Sequence, residues 1–303
     1  MNTAPSPTDH RHHGSSGAAL VWSLVITVLF GVIEALGGWF GGSLALLGDA
    51  GHMITDATAL GLALLATWIA KRPPSPRHSY GLGRAEVIAA MINALLMFAI
   101  VTSIVITAVA RLNSPHPVSG GLVMLIAGVG LAVNIAVAAI LSRGERTLNV
   151  RAALIHVMGD MLGSIAALVA GAVVYFTGWT PIDPILSLFI CVLILLSSVK
   201  LMGDALHVIM EGVPPGVDLQ EVGNSMARMD GVHSIHDLHI WMLSSGTVVL
   251  SAHVVISDMN RWEHILDGLH KLLQDRFDIS HATLQPEPVT RVVHPVKEVR
   301  IGR

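Results

Sequence analysis

The sequence predicts an α-helical membrane protein with six transmembrane helices followed by a small α+β domain. Three observations carry this. The chain is 52% hydrophobic and only 13% charged, against about 25% charge in an ordinary soluble domain. Mean hydropathy is +0.66. The apolar residues are gathered in long runs over the first 200 residues, and the composition turns polar only after Met202. A single soluble globular domain is thereby excluded.

A bilayer core of about 30 Å takes roughly 20 helical residues. Spans long enough fall at Ala18–Phe40, Ser43–Ala70, Ala85–Ala110, Val118–Leu141, Ala152–Thr177 and Pro181–Met202. The breaks between them carry turn chemistry: Gly41-Gly42, Pro73-Pro74-Ser75-Pro76, Pro115-His116-Pro117, Arg143-Gly144 and Gly178-Trp179-Thr180-Pro181. The tail at residues 1–17 is polar, with His10, His12 and His13, and loosely held metal is one use for that cluster. It lacks the order of a cleavable signal, so the first span is expected to stay. Lys71, Arg72, Arg77 and Arg84 lie in the second-to-third loop, and Arg143, Arg146 and Arg151 in the fourth-to-fifth. The opposite loops hold only Arg111. The positive-inside rule then puts both termini of this multi-pass chain in the cytoplasm.

The membrane part is expected over residues 18–203, a linker over 204–216, a C-terminal domain over 217–288 and a polar tail over 289–303. Asp218 can cap a helix running to about Met229. Val232–Leu243 and Thr247–Ile256 read as a hairpin. Arg261–Phe277 puts Trp262, Ile265, Leu266, Leu269, Leu272 and Leu273 on one helical face. A last strand near His281–Gln285 should end at Pro286. The order is αββαβ. One cysteine, Cys191, excludes a disulfide framework and a thiolate cluster. No basic block is long enough to suggest a nucleic-acid partner.

Ionised side chains at mid-bilayer are costly and usually functional. Glu34, Glu86 and Asp183 fall near predicted helix ends and are expected to reach the interface. Deeper lie His52 and Asp56 in the second span and His156 and Asp160 in the fifth. Each pair is His-x-x-x-Asp, which on a helix places an imidazole and a carboxylate side by side. If the two spans face each other, four ligands close the tetrahedron that Zn²⁺ takes with N and O donors. The spacing alone arises by chance about once in a chain so rich in His. Depth in the membrane is what makes the two pairs informative, whereas His233 and Asp237 repeat the spacing on a predicted strand, where it spans too far. Gly48, Ala50, Gly51, Ala57, Gly159 and Gly163 allow close helix approach. Asp49, one turn before His52, fits an accessory role in leading ions in or accepting protons, and equally a bond to backbone.

The run Ser43-Leu44-Ala45-Leu46-Leu47-Gly48-Asp49-Ala50-Gly51-His52-Met53-Ile54-Thr55-Asp56 resembles the second-span signature of the cation diffusion facilitators. His156-x-x-x-Asp160 with Leu162-Gly163-Ser164 resembles their fifth-span signature. Met210-Glu211-Gly212-Val213-Pro214 and His236-Asp237-Leu238-His239-Ile240-Trp241 resemble the start and first strand of their metallochaperone-like cytoplasmic domain. The resemblance runs from Ala18 to Glu287 and is nearest the bacterial cobalt–zinc–cadmium resistance type. It implies a homodimer that exports divalent metal from the cytoplasm in exchange for protons, with His52, Asp56, His156 and Asp160 as the transport site. It implies Zn²⁺ first, with Cd²⁺ and Co²⁺ as further cargo. Some members carry an Asp/His site in the second-to-third loop; only His78 is present here, so that site is not expected.

Seven His lie in the C-terminal domain: His233, His236, His239, His253, His264, His270 and His281. A hairpin centred on Ser244-Ser245 sets His236 directly opposite His253, close enough to share a metal. The resemblance puts further ligands on the last strand, where His281 and Glu287 are the nearest matches. Zinc there would act as a regulatory ligand, and no other cofactor is expected. Metal binding needs neutral His and ionised Asp, so it releases protons, and no GxxxxGK[ST] motif offers nucleotide energy. A membrane-embedded metalloenzyme would need an open coordination position and a separate base. A membrane-anchored metal sensor would not need six spans. Both are kept as alternatives to a transporter.

Overall fold

The structure is a computed structural model that describes residues 13–142, 148–244 and 246–289. Side chains are described from residue 25 onward, and within 148–156 only at residue 154. His10, His12 and the tail beyond residue 289 lie outside the described residues, as do the side chains of Arg143, Arg146 and Arg151.

Six long helices come first: α1 (His13–Gly41), α2 (Leu44–Ala70), α3 (Ala85–Asn113), α4 (Gly120–Ser142), α5 (Leu148–Thr177) and α6 (Ile182–Ile209). The shortest, α4, has 23 residues. At about 1.5 Å per residue even it exceeds the hydrocarbon thickness. Their outward faces carry bare apolar side chains such as Leu29, Leu64, Ile106, Leu125 and Leu196, as lipid contact requires. The chain is a multi-pass membrane protein. Inside, Leu46, Met97, Val101, Val123, Ala127, Ala167, Ala170, Ile190 and Ile194 form the main core. Alanines such as Ala127, Ala167 and Ala170 lie among the larger side chains and let backbones approach.

Two compact units are present. One runs to Gly61 and adds Ile92–Lys200; the other joins Leu62–Met91 to the chain from Leu201 onward. In the second unit, α6 runs on to Ile209, beyond the expected end at Met202. Between Met202 and Ile209 there is no proline, and the single Gly203 is not enough to end the helix. The stop comes at Glu211, whose φ of 57° is left-handed. Arg84 donates to Glu211 at 3.0 Å, beside that stop.

The C-terminal domain follows with α7 (Leu219–Ala227), β1 (Val232–Ser244), β2 (Thr247–Ile256), α8 (Trp262–Phe277) and β3 (His281–Pro288). Asp218 caps α7, accepting from the Gln220 and Glu221 amides at 2.8 and 3.3 Å. β1 and β2 are antiparallel, and β3 lies parallel to β2 on the sheet edge. That edge explains why β3 runs through Pro286 rather than ending there: an edge strand has no neighbour to miss the amide. Val222 and Met226 of α7 and Ile265, Leu269 and Leu273 of α8 pack on Ile235, Leu250, Ala252 and Val254 of the sheet.

Candidate metal centres

The first centre lies between α2 and α5. His52 Nε2 stands 3.5 Å from Asp56 Oδ2, one turn on, and 3.9 Å from Asp160 Oδ1 across the helix pair. One ligand atom from each of the three lies within 4.8 Å of the others. A tetrahedral zinc with bonds of about 2.0–2.1 Å separates its ligands by about 3.3–3.4 Å. The observed gaps exceed that edge by only a few tenths of an ångström. Asp160 is buried, while His52 and Asp56 are 19% and 26% exposed, so the site has one open side. The α5 backbone carries residue 156 one turn before Asp160. The His156 side chain lies outside the described residues.

Around this centre the sequence reading needs correcting twice. Glu34 and Asp183 were expected at the interface, yet both are fully buried. Asp183 accepts from Ser43 Oγ at 2.5 Å and from the Leu44 and Ala45 amides at 2.7 and 3.4 Å. It therefore caps α2 from a helix 140 residues further along. Arg111 donates to the Gly42 carbonyl at the same turn, where Gly42 holds φ at 69°. This clamp fixes the start of the helix that bears His52 and Asp56. Asp49 bonds a side chain rather than backbone: it accepts from Ser164 Oγ at 3.3 Å, and Ser164 accepts from Asn134 Nδ2 at 3.2 Å. Glu86 accepts from Thr67 on the surface.

The second centre lies on the sheet. His236 pairs in register with His253, and their rings meet edge to face with centroids 5.1 Å apart. Glu287 of β3 reaches both: Oε2 is 3.0 Å from His236 Nε2 and Oε1 is 2.9 Å from His253 Nδ1. Two imidazoles and a nearly buried carboxylate thus converge, a donor set that suits zinc. His281 is not brought to this cluster. It pairs with Val249 at the far end of β3 and meets Tyr80 edge-on. Asp237, at φ 51° in the bulge after His236, turns its carboxylate to His239 at 3.0 Å and towards His253 Nε2 at 3.8 Å. A left-handed Asp at that point leaves no mark in hydrophobic alternation.

Helices of spanning length enclosing a two-helix His/Asp cluster, with a separate His/Glu cluster on a soluble sheet, define a membrane protein that handles metal cations. Comparison with known proteins names the class. The family model described as the cation efflux transmembrane domain matches residues 20–210, and that of the cation efflux protein cytoplasmic domain matches residues 214–289. The chain is 40% identical over 283 residues to the zinc transporter ZitB of Escherichia coli, covering 92% of this chain and 90% of that one. It is 39% identical over 280 residues to the metal cation efflux system protein CzcD of Cupriavidus metallidurans, covering 92% and 89%. It is 38% identical over 286 residues to the cadmium, cobalt and zinc/H(+)-K(+) antiporter of Bacillus velezensis, covering 92% and 91%. The chain belongs to the cation efflux family, the cation diffusion facilitators. It is a metal-cation efflux transporter and not an enzyme.

Proposed function

We propose that the cargo is Zn²⁺, with Cd²⁺ and Co²⁺ as lesser cargo, and that a homodimer in the bacterial inner membrane exports it from the cytoplasm in exchange for protons. The observation that carries this reading is the convergence of His52, Asp56 and Asp160 from two helices, with one ligand atom of each within 4.8 Å of the others. His156, one turn from Asp160, is the fourth ligand. Mixed imidazole and carboxylate donors favour zinc over harder ions. Two carboxylates cancel one divalent charge, which lowers the cost of carrying it through the bilayer. Protons compete for the same nitrogens and oxygens, so a proton gradient can drive release. The names of the ZitB and Bacillus velezensis relatives support zinc as cargo, and the second also supports antiport. Loop charge supports cytoplasmic termini, and family resemblance supports the homodimer.

The His236–His253–Glu287 cluster is read as a regulatory zinc site. Bound zinc would neutralise acids on adjacent cytoplasmic domains and draw them together when the metal is in excess. The test is flux in proteoliposomes: Zn²⁺ should move against an imposed pH gradient and carry protons the other way. Zinc movement indifferent to that gradient would end the antiport reading.

A further inference from the structure

The loop between α2 and α3 carries the cations Lys71, Arg72, Arg77 and Arg84, and no Asp or Glu lies within residues 57–85. Arg84 is paired with Glu211 at 3.0 Å. Lys71, Arg72 and Arg77 are exposed and have no acidic partner within ion-pair distance among the described residues. The nearest acid along the chain, Glu86, accepts from Thr67 at 3.1 Å. One carboxylate therefore stands against three cations.

These charges sit on an ordered scaffold. Ser75 and His78 exchange backbone hydrogen bonds of 3.0 Å, and the Gly81 amide donates to the His78 carbonyl at 2.9 Å. Pro73, Pro74 and Pro76 stiffen the same stretch. The Arg72 guanidinium lies over the Trp68 ring, 4.6 Å from its centroid, as a cation–π contact. Trp68 is in the last turn of α2, and Leu64 lies one turn before it on the same face. Leu64 and Trp68 are 67% and 59% exposed, and Leu65 beside them is exposed as well. On a membrane-spanning helix this face meets acyl chains, and a terminal tryptophan sits at headgroup level. The row thus passes from apolar side chains, through an amphipathic ring, to a guanidinium with Lys71 next to it. A phospholipid has the same order of polarity: acyl chain, glycerol ester, phosphate. Orienting the chain in the membrane needs only a count of loop cations; it does not call for a guanidinium stacked at the end of an apolar row.

We propose that Trp68, Lys71 and Arg72 bind the headgroup of an anionic phospholipid, with an acyl chain along Leu64 and Leu65 and with Arg77 adding charge from the turn. The Arg72 guanidinium, one face on the ring, keeps its edge donors for phosphate oxygens. The surplus of cations favours a lipid of net negative charge over a zwitterionic one. A soluble phosphate would satisfy the cations and leave the apolar row uncovered, which is why a lipid is the occupant. The bound lipid anchors the end of the helix that carries His52 and Asp56. The inference needs only that α2 spans the membrane, and it is independent of cargo and of proton coupling.

The test is native mass spectrometry of the purified full chain titrated with dioleoylphosphatidylglycerol or dioleoylphosphatidylcholine, for wild type, K71Q, R72Q and W68L. Wild type should bind the phosphatidylglycerol more tightly. Loss of either cation should weaken that binding by about fivefold, and W68L should weaken it by about two- to fivefold although net charge is unchanged. Equal affinity of wild type for the two lipids would overturn the proposal. Wild-type affinity in W68L would also overturn it, because the attraction would then be that of a diffuse basic loop. Displacement of the lipid by an equal concentration of glycerol phosphate would assign the cations to a soluble anion and end the lipid reading. Should a variant fail to fold, wild type in vesicles containing a photoreactive phosphatidylglycerol decides. Cross-links within residues 64–77 support the site, and cross-links confined to other segments overturn it.

Discussion

The two metal clusters share donor chemistry and differ in how the chain holds them. The membrane cluster spans two helices that no backbone hydrogen bond joins among the described residues, and its His–Asp gaps are 3.5 and 3.9 Å. The sheet cluster sits on three hydrogen-bonded strands, and its carboxylate already bonds both imidazoles at 2.9 and 3.0 Å. A ligand set split between helices can be opened by sliding one helix on the other, as a carrier requires. A ligand set fixed by a β-ladder keeps its shape whether or not it is filled, which suits sensing. If the two clusters play the roles proposed for them, the scaffold beneath the ligands, more than the ligands, separates transport from detection.

The largest effect should come from breaking the membrane cluster. In Asp160→Ala, zinc flux in proteoliposomes should fall by more than the roughly 10–100-fold that loss of a partner outside the ligand shell costs. Zinc binding at the sheet cluster should persist in the same preparation. Normal flux would remove Asp160 from the transport site.

Changing the donor type should do less. His52→Asp replaces one imidazole by a carboxylate, which hard cations accept. Flux should shift towards Mn²⁺ by about tenfold in the ratio to zinc, the equivalent of about 1.4 kcal/mol. An unchanged zinc-to-manganese ratio would count against His52 as a ligand. The sheet pair is tested in the full chain carrying Asp160→Ala, so that only the second centre is read by calorimetry. Adding His236→Ala and His253→Ala should remove the remaining zinc binding. Equal binding with and without those imidazoles would place regulation elsewhere.

Both clusters were partly legible in the sequence, and for different reasons. His52–Asp56 is a local pattern, and the period of the helix alone makes it one face. His236 and His253 follow from counting outward from a short hairpin turn, which sets register. The last strand is another matter. Its parallel register depends on how far the α8 crossover carries the chain, so spacing did not distinguish His281 from Glu287, and only Glu287 meets the pair. Glu34 and Asp183 misled in the opposite direction. Position near a predicted helix end suggested an escape to the interface. What buries them is distant in the chain: Gly130 for one and the start of α2 for the other. A cap supplied across 140 residues has no local signature.

The smallest effect concerns a charged pair that binds no metal in either reading, and it serves to separate stability from binding. Arg261 donates to Asp230 at 2.6 Å on the surface of the C-terminal domain. That hydrogen bond, and the guanidinium charge with it, hold the Asp230 carboxyl below the usual carboxylate range. A carboxyl whose pKa is depressed by folding stabilises the fold above its unfolded pKa, and the contribution fades as pH falls through the folded value. Asp230→Asn should therefore lower the melting temperature slightly at neutral pH, with the difference from wild type vanishing in acid. Exposed pairs are worth little, so the shift should sit near the limit of detection. Zinc binding by the sheet cluster and flux through the membrane cluster should match wild type. A variant that lost zinc binding with so small a change in stability would show that the sheet cluster depends on the turn before β1, and that its ladder does not hold it alone.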